Sequence, residues 1–167
     1  GFLEGIRGSL NDGFDERRAV ETLAQHEVTR PIFVALFDNE EVGSRTTAGA
    51  AGPFLETLLE RLSGGREEYF RAVTRSIMVS ADCAHAVHPD WAGKHSAQSK
   101  PRLNGGPAVK RSAMQNYATG VETGAYFFRC AGRAGVKLQE FTGRTDAQAG
   151  STIGPITATR TGIPTVD

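Results

Sequence analysis

The chain of 167 residues is long enough for one domain with a buried core. Its nineteen basic and nineteen acidic residues cancel, so we expect no electric field that would attract nucleic acid or an anionic membrane. No apolar run approaches the roughly 20 residues that span a bilayer, and Cys83 and Cys130 form no disulfide framework. These features predict a protein of the reducing cytoplasm that binds neither nucleic acid nor membranes.

The predicted helices and strands alternate along the chain. Apolar residues at helical spacing predict a helix over 15–26, and the apolar run 31–37 predicts a buried strand. The alternation then continues, with helices predicted at 53–62, 66–76, 121–134 and 150–161, and strands at 77–82, 136–142 and from residue 162 onwards. Strands separated by helices imply a mainly parallel central sheet with helices on both faces, which is a three-layer α/β/α fold.

Two features bear on the extent of this domain. Residues 83–118 are rich in His, Pro, Gly and Asn and show little periodicity. Unstructured segments of this length inside a compact domain are usually binding loops or lids, so we predict an active-site loop region here. The chain also stops at Asp167, inside a predicted strand. We therefore expect residues 1–167 to be a single partial domain whose sheet is incomplete at both ends.

Acidic side chains follow two of the predicted strands. Glu40 and Glu41 come after the first strand, and Asp82 ends the second. The carboxyl ends of parallel strands line the ligand crevice of such sheets, so we expect these acids to lie together. Three histidines follow Asp82 within one short loop: His85, His88 and His95. Carboxylates and imidazoles bind zinc or manganese, and an unligated glutamate can act as a general base, so this pattern indicates a hydrolytic metal site.

Simpler interpretations of the same residues stay open. Glu40 and Glu41 can form a solvated turn, and Asp82 can cap the segment that follows it. Each of the three histidines can lie on the surface or make an ordinary hydrogen bond. The glycine-rich turn 150–155, together with Lys110, also fits a small-molecule or phosphate-binding α/β domain, although no Walker pattern is present.

Five motifs favour the metal-site interpretation over the simpler ones, because together they resemble the aspartyl aminopeptidase family of zinc metallopeptidases. In chain order they read DNEEVGS, SADCAHAVHPDWAGKH, LNGGPAVK, QNYAT and GSTIGPI, and the resemblance runs from about residue 31 to residue 167. It implies a phosphorylase/hydrolase-like α/β catalytic domain that uses two zinc ions. It also implies a cytoplasmic or vacuolar homo-oligomer, usually a dodecamer, that removes N-terminal residues from peptides, acidic ones in many members.

The resemblance also implies a role for individual residues. Glu40 matches the general base that takes a proton from water, whereas Glu41 and Asp82 each match a ligand of one zinc ion. The positions that resemble substrate-binding residues are His85, Lys110, Tyr117, Gly150 and Ser151. Lys110 is the implied partner of an acidic substrate side chain. His88 and His95 also fall on family motifs, where we expect structural roles.

The chain departs from the family pattern at the remaining ligands. The family's bridging Asp lies in a Leu-Asp-Asn motif, whereas this chain reads Leu10-Asn11-Asp12, so the order is reversed and Asp12 is the weakest ligand candidate. The two expected His ligands fall outside the chain. We therefore expect the isolated chain to be a poor enzyme, because zinc affinity grows with ligand number. An alternative is a catalytically inactive, truncated relative that acts as an oligomer subunit.

Overall fold

The structure, a computed structural model, describes residues 32–37, 43–146 and 150–167. The predicted helix at 15–26 lies outside these residues. Contacts divide the chain into two compact units, with the boundary between Leu36 and Phe37. The prediction of a single domain over 1–167 stays a prediction.

Before the division, the chain has no regular secondary structure at residues 32–36, and Phe37 just after it has none either. Ile32 and Leu36 are more than four-fifths exposed. The prediction of a buried strand at 31–37 is therefore wrong for the described part of this segment. A strand requires a neighbouring strand to satisfy its backbone hydrogen bonds, and none of the described strands pairs with residues 32–37.

After the division, two helices follow each other closely. Helix α1 (Phe54–Ser63) ends at Gly64, whose φ of 88° suits the left-handed cap that closes a helix. Helix α2 (Arg66–Val73) starts two residues later. The Arg66 guanidinium lies 3.0 Å from a Glu60 carboxylate oxygen and so links the start of α2 to α1. Both predicted helices are confirmed, the second ending three residues earlier than expected.

Within the described residues, four short strands form two parallel pairs. Strand β1 (Met78–Val79) pairs with β4 (Thr165–Val166), and β2 (Ala108–Arg111) pairs with β3 (Gln139–Thr142). One backbone hydrogen bond of 2.8 Å, from Lys110 N–H to the Asp167 carbonyl, joins the two pairs. The predicted parallel arrangement is confirmed, although β1 and β3 are shorter than the strands expected at 77–82 and 136–142.

The region 83–118 is not one continuous loop. It contains a 3-10 helix (Pro89–Lys94) and the whole of β2. Strand β2 has only four residues, which is too short for a periodic pattern to emerge. It is nevertheless well defined by tertiary packing, since it pairs with β3 and the Val109 side chain is 1% exposed. The prediction of an unstructured stretch is therefore wrong at these two segments.

Two further helices complete the described fold. Helix α3 (Val121–Arg133) matches the predicted helix at 121–134. Helix α4 (Ile153–Thr161) begins after Thr152, whose side chain accepts a hydrogen bond from Gly154 N–H and caps the helix. The core contains the most deeply buried side chains, namely Tyr69, Val109 and Val166. The residue directly after β4, Asp167, contacts Thr152 at the start of α4.

Candidate active site

The buried ion pair Lys110–Asp82 lies at the centre of the candidate site. The Lys110 ammonium is 3.1 Å from Asp82 Oδ2 and 2.7 Å from the Cys83 carbonyl. The lysine side chain is only 6% exposed, whereas the aspartate side chain is 23% exposed. Asp82 Oδ1 accepts a 2.6 Å hydrogen bond from Cys83 N–H. Both charges are therefore paired, which burial at this depth requires.

Tyr117 lies against this ion pair. The Lys110 ammonium is 5.7 Å from the centre of the Tyr117 ring, within the range of a cation–π contact. The Tyr117 ring also packs against the Phe141 ring of β3 in an edge-to-face arrangement, with the two ring centres 5.9 Å apart. Tyr117 is 8% exposed, so strand β3 and Lys110 together fix the direction of its side chain.

Asp167 closes the cluster on the side of α4. Its Oδ1 accepts a 2.6 Å hydrogen bond from the Thr152 hydroxyl, and its Oδ2 accepts one from Ala118 N–H. The carboxylate also lies directly against Gly154, where any side chain would overlap it. Asp167 is 8% exposed and Thr152 is 4% exposed. The start of α4 and the segment after Tyr117 are thus held to the same buried carboxylate.

The remaining predicted contacts lie nearer the surface. Ser151 is exposed and donates a 3.1 Å hydrogen bond from its hydroxyl to the Asn116 carbonyl, next to Tyr117. Gly150 and His85 are exposed. An open groove of about 680 Å³ lies elsewhere, lined in part by His95, Lys100 and Arg144 and by none of the cluster side chains.

Comparison with known proteins identifies the family. The model of the aminopeptidase I zinc metalloprotease (M18) family matches residues 17–167. The chain belongs to the M18 aminopeptidase family. It is 43% identical over 166 residues to a probable M18 family aminopeptidase 2 of Pseudomonas aeruginosa (strain UCBPP-PA14), covering 99% of this chain and 38% of that protein. The chain therefore spans well under half of this M18 relative.

Solved M18 structures share the fold. A crystal structure of prApe1 superposes with a TM-score of 0.73 at 34% identity, over 79% of this chain and 28% of that one. The mApe1 dodecamer of S. cerevisiae gives a TM-score of 0.68 at 33% identity, over 79% of this chain and 30% of that one. The predicted α/β fold class and the predicted family are both confirmed. Within the part of the M18 chain that the structure describes, no helix is long and apolar enough for a membrane span.

The structure brings some of the predicted site residues of this M18 chain together. Lys110, Asp82 and Tyr117 are in one cluster. Ser151 is linked to this cluster by its hydrogen bond to the carbonyl of Asn116, the residue before Tyr117. His88 serves a local role, because its Nδ1 accepts a hydrogen bond from Asp90 N–H. Three predicted residues lie outside the described residues, so their roles stay predictions: Glu40, Glu41 and Asp12.

Asp82 is the one predicted zinc ligand among the described residues. Each of its oxygens accepts one hydrogen bond and retains a second lone pair, and the side chain is partly open to solvent. Its chemistry therefore fits one ligand position of a zinc ion. A single carboxylate is not a zinc site, and in residues 32–37, 43–146 and 150–167 no three His, Cys, Asp or Glu side chains converge as a metal site requires.

Sequence reasoning missed Asp167 and Thr152. The signal for Asp167 was present, because it follows a β-branched strand just as Asp82 does. Thr152 precedes the apolar turn of α4, and a threonine in that place signals a helix N-cap. Neither signal shows that the two side chains meet, since they are fifteen residues apart in the chain.

The tyrosines of the core lead to a prediction about pH. Burial raises the pKa of Tyr69, and burial together with the Asp167 and Asp82 carboxylates raises the pKa of Tyr117. The folded state therefore holds these phenol protons more tightly than the unfolded chain does. We expect the free energy of unfolding to fall as the pH rises above about 10, the ordinary tyrosine pKa. Urea unfolding between pH 8 and 11 measures this fall.

The matched variant for this prediction is Tyr117→Phe, which removes the phenol but keeps the ring. Its free energy of unfolding should fall less steeply with pH than that of the wild type. Equal slopes in the two proteins would contradict the assignment to Tyr117.

Proposed function

We propose that this chain forms part of the catalytic domain of a zinc-dependent aminopeptidase, which removes N-terminal acidic residues from peptides and works as a homo-oligomer in the cytoplasm. The observation that supports this most directly is the buried Lys110–Asp82–Tyr117 cluster at the strand ends of a chain in the M18 zinc metalloprotease family. Ligand crevices of parallel sheets lie at such strand ends.

In this proposal Glu40 is the general base, and Glu41, Asp82 and Asp12 are carboxylate ligands for two zinc ions. When bound, zinc polarises the scissile carbonyl and makes water more acidic. Glu40 would accept the proton released from the attacking water and pass it towards the leaving amine. The DNEEVGS motif, which resembles that of the family, is the support for giving Glu40 and Glu41 these separate purposes.

Lys110 supports the preference for acidic substrates. An ammonium group has three N–H donors, and the described residues place two acceptors on it, Asp82 and the Cys83 carbonyl. The third donor can bind a substrate carboxylate. This charge-assisted hydrogen bond would be strong because the site is shielded from water.

The other proposed substrate contacts lie around this lysine. His85, exposed three residues after Asp82, would donate a hydrogen bond to the oxyanion that develops at the scissile carbonyl. Tyr117 would form a wall beside Lys110. Gly150 and Ser151 precede α4 and are exposed, so their backbone can approach a peptide closely.

A surface feature favours the oligomer and, with it, the alternative of an inactive assembly subunit. Phe54, Leu58 and Leu62 recur every four residues on α1, and all three are exposed. An exposed apolar stripe of this kind is typical of a protein interface. A second copy of the protein is the proposed occupant, and the similar mApe1 is a dodecamer.

The test uses the purified full-length protein that contains this chain and measures its hydrolysis of chromogenic substrates with N-terminal Asp, Glu or Leu. We expect kcat/KM for the acidic substrates to exceed that for the Leu substrate at least about tenfold. This is the gain in affinity that one charge-assisted hydrogen bond typically gives. A chelator should abolish the activity and added zinc should restore it. A protein that assembles but hydrolyses none of the substrates with zinc present would instead support the inactive-subunit alternative.

A further inference from the structure

We propose that Asp167 is a positioning residue: its buried carboxylate fixes the segments that carry Tyr117 and Ser151 relative to Lys110. This inference rests on the proposed function, which assigns substrate contacts to those three residues. None of the roles proposed above uses Asp167. It nevertheless accepts hydrogen bonds from the residue after Tyr117, from the residue after Ser151 and from Lys110 N–H.

The side chain of Asp167 joins two loop segments. Ala118 N–H, directly after Tyr117, donates to Oδ2, and the Thr152 hydroxyl, directly after Ser151, donates to Oδ1 at 2.6 Å. The two segments also contact each other through the hydrogen bond from Ser151 to the Asn116 carbonyl. One carboxylate thus sets the spacing between the segment that carries Tyr117 and the segment that carries Ser151.

The backbone of Asp167 also contacts strand β2, which carries Lys110. Its carbonyl accepts a 2.8 Å hydrogen bond from Lys110 N–H on β2, and its N–H donates a 2.9 Å hydrogen bond to the Thr119 hydroxyl. The same residue therefore holds the strand that carries the ammonium group. The side chain and the backbone act together, so a shift of the carboxylate would move these segments relative to Lys110.

A carboxylate suits this position better than other side chains do. It is acceptor-only, and both of its described side-chain partners, Ala118 N–H and the Thr152 hydroxyl, are donors. Its negative charge also lies near the start of α4, where the helix dipole favours an anion. The fit is close, because a side chain at Gly154 would overlap the carboxylate.

The electrostatics of Tyr117 agree with this placement. After burial, the Asp167 carboxylate is the next cause that raises the pKa of Tyr117, ahead of Asp82. The charge of Asp167 is thus felt at the ring that it is proposed to position.

The test compares Asp167→Asn with wild-type protein by amide hydrogen exchange and by steady-state kinetics. An amide side chain offers one acceptor where two donors converge, so the exchange of Ala118 N–H should accelerate about tenfold. For the acidic substrates we expect KM to rise about tenfold while kcat changes less than threefold, because the variant loosens the binding segments and leaves the proposed base in place. Exposed Asp90→Asn, a matched charge change outside the cluster, should alter neither measurement.

Thr152 supplies a second pair of variants in case Asp167→Asn does not fold. Thr152→Val removes the hydroxyl at nearly constant shape and should raise KM in the same direction, whereas Thr152→Ser should restore it. Unchanged Ala118 exchange in Asp167→Asn, or faster exchange with an unchanged KM, would overturn the positioning role. If the full-length wild-type protein hydrolyses no substrate, the proposed function fails, and Ala118 exchange still decides whether Asp167 holds the segment.

Discussion

Glu40→Gln should lower kcat for aminopeptidase activity about 10²- to 10⁴-fold, the range that a general base usually contributes. Glutamine keeps the size and polarity of the side chain but cannot accept the proton of the attacking water. The zinc content should stay at the wild-type level, because Glu40 is the proposed base and not a ligand. Steady-state kinetics and metal analysis of the same preparation measure both quantities.

Two variants control this experiment. Glu41→Gln removes a proposed ligand and should lower both the zinc content and the activity, so it separates the adjacent glutamates. Glu67→Gln changes an exposed acid on α2 and should leave both unchanged. If Glu40→Gln kept its activity, or lost its zinc along with it, the assignment of Glu40 as the base would be wrong.

Asp82→Ala should lower the free energy of unfolding by about 3–5 kcal/mol, the usual cost when one partner of a buried ion pair is removed. The variant leaves the Lys110 ammonium, 6% exposed, with one described acceptor, the Cys83 carbonyl. Lys110→Met should cost less, about 1–2 kcal/mol, because Asp82 is more exposed and keeps its hydrogen bond from Cys83 N–H. Urea unfolding of metal-free protein measures both costs.

An exposed ion pair provides the comparison. Arg71 and Glu67 on α2 approach to 2.5 Å with both side chains more than three-fifths exposed, so Glu67→Ala should cost less than about 1 kcal/mol. The double variant Asp82→Ala/Lys110→Met should be more stable than Asp82→Ala alone, since no unpaired charge is then buried. A greater loss of stability in Lys110→Met than in Asp82→Ala would show that the burial of Lys110 is not the dominant cost.

The helices were largely predictable from the sequence because their signals are local. The apolar spacing of α1 and α3 and the glycines after α1 and α4 depend on residues within one or two turns of each other. The strands were less predictable. Four residues of β2 show no period, and only pairing with β3 defines them, whereas the apolar run 31–37 resembles a strand but is not paired at its described residues.

The residues of the candidate site were also only partly predictable from the sequence. Asp82, Lys110 and Tyr117 were predicted from motifs, and the structure brings them together. Asp167 and Thr152 were missed, although each has a local signal, because the importance of Asp167 comes from contacts with segments far away in the chain. A sequence pattern reports the chemistry of a side chain, but its partners depend on how the strands are ordered.

The sequence by itself determined the family, the alternation of helices and strands, and the acids and lysine that carry the proposed chemistry. These properties depend on residue type and short-range spacing, which folding does not alter. Tertiary structure alone decided that Lys110 is buried against Asp82 and that Asp167 joins β4, the Tyr117 segment and the start of α4. The reason is physical: burial and long-range hydrogen bonds exist only after parallel strands from distant parts of the chain have met.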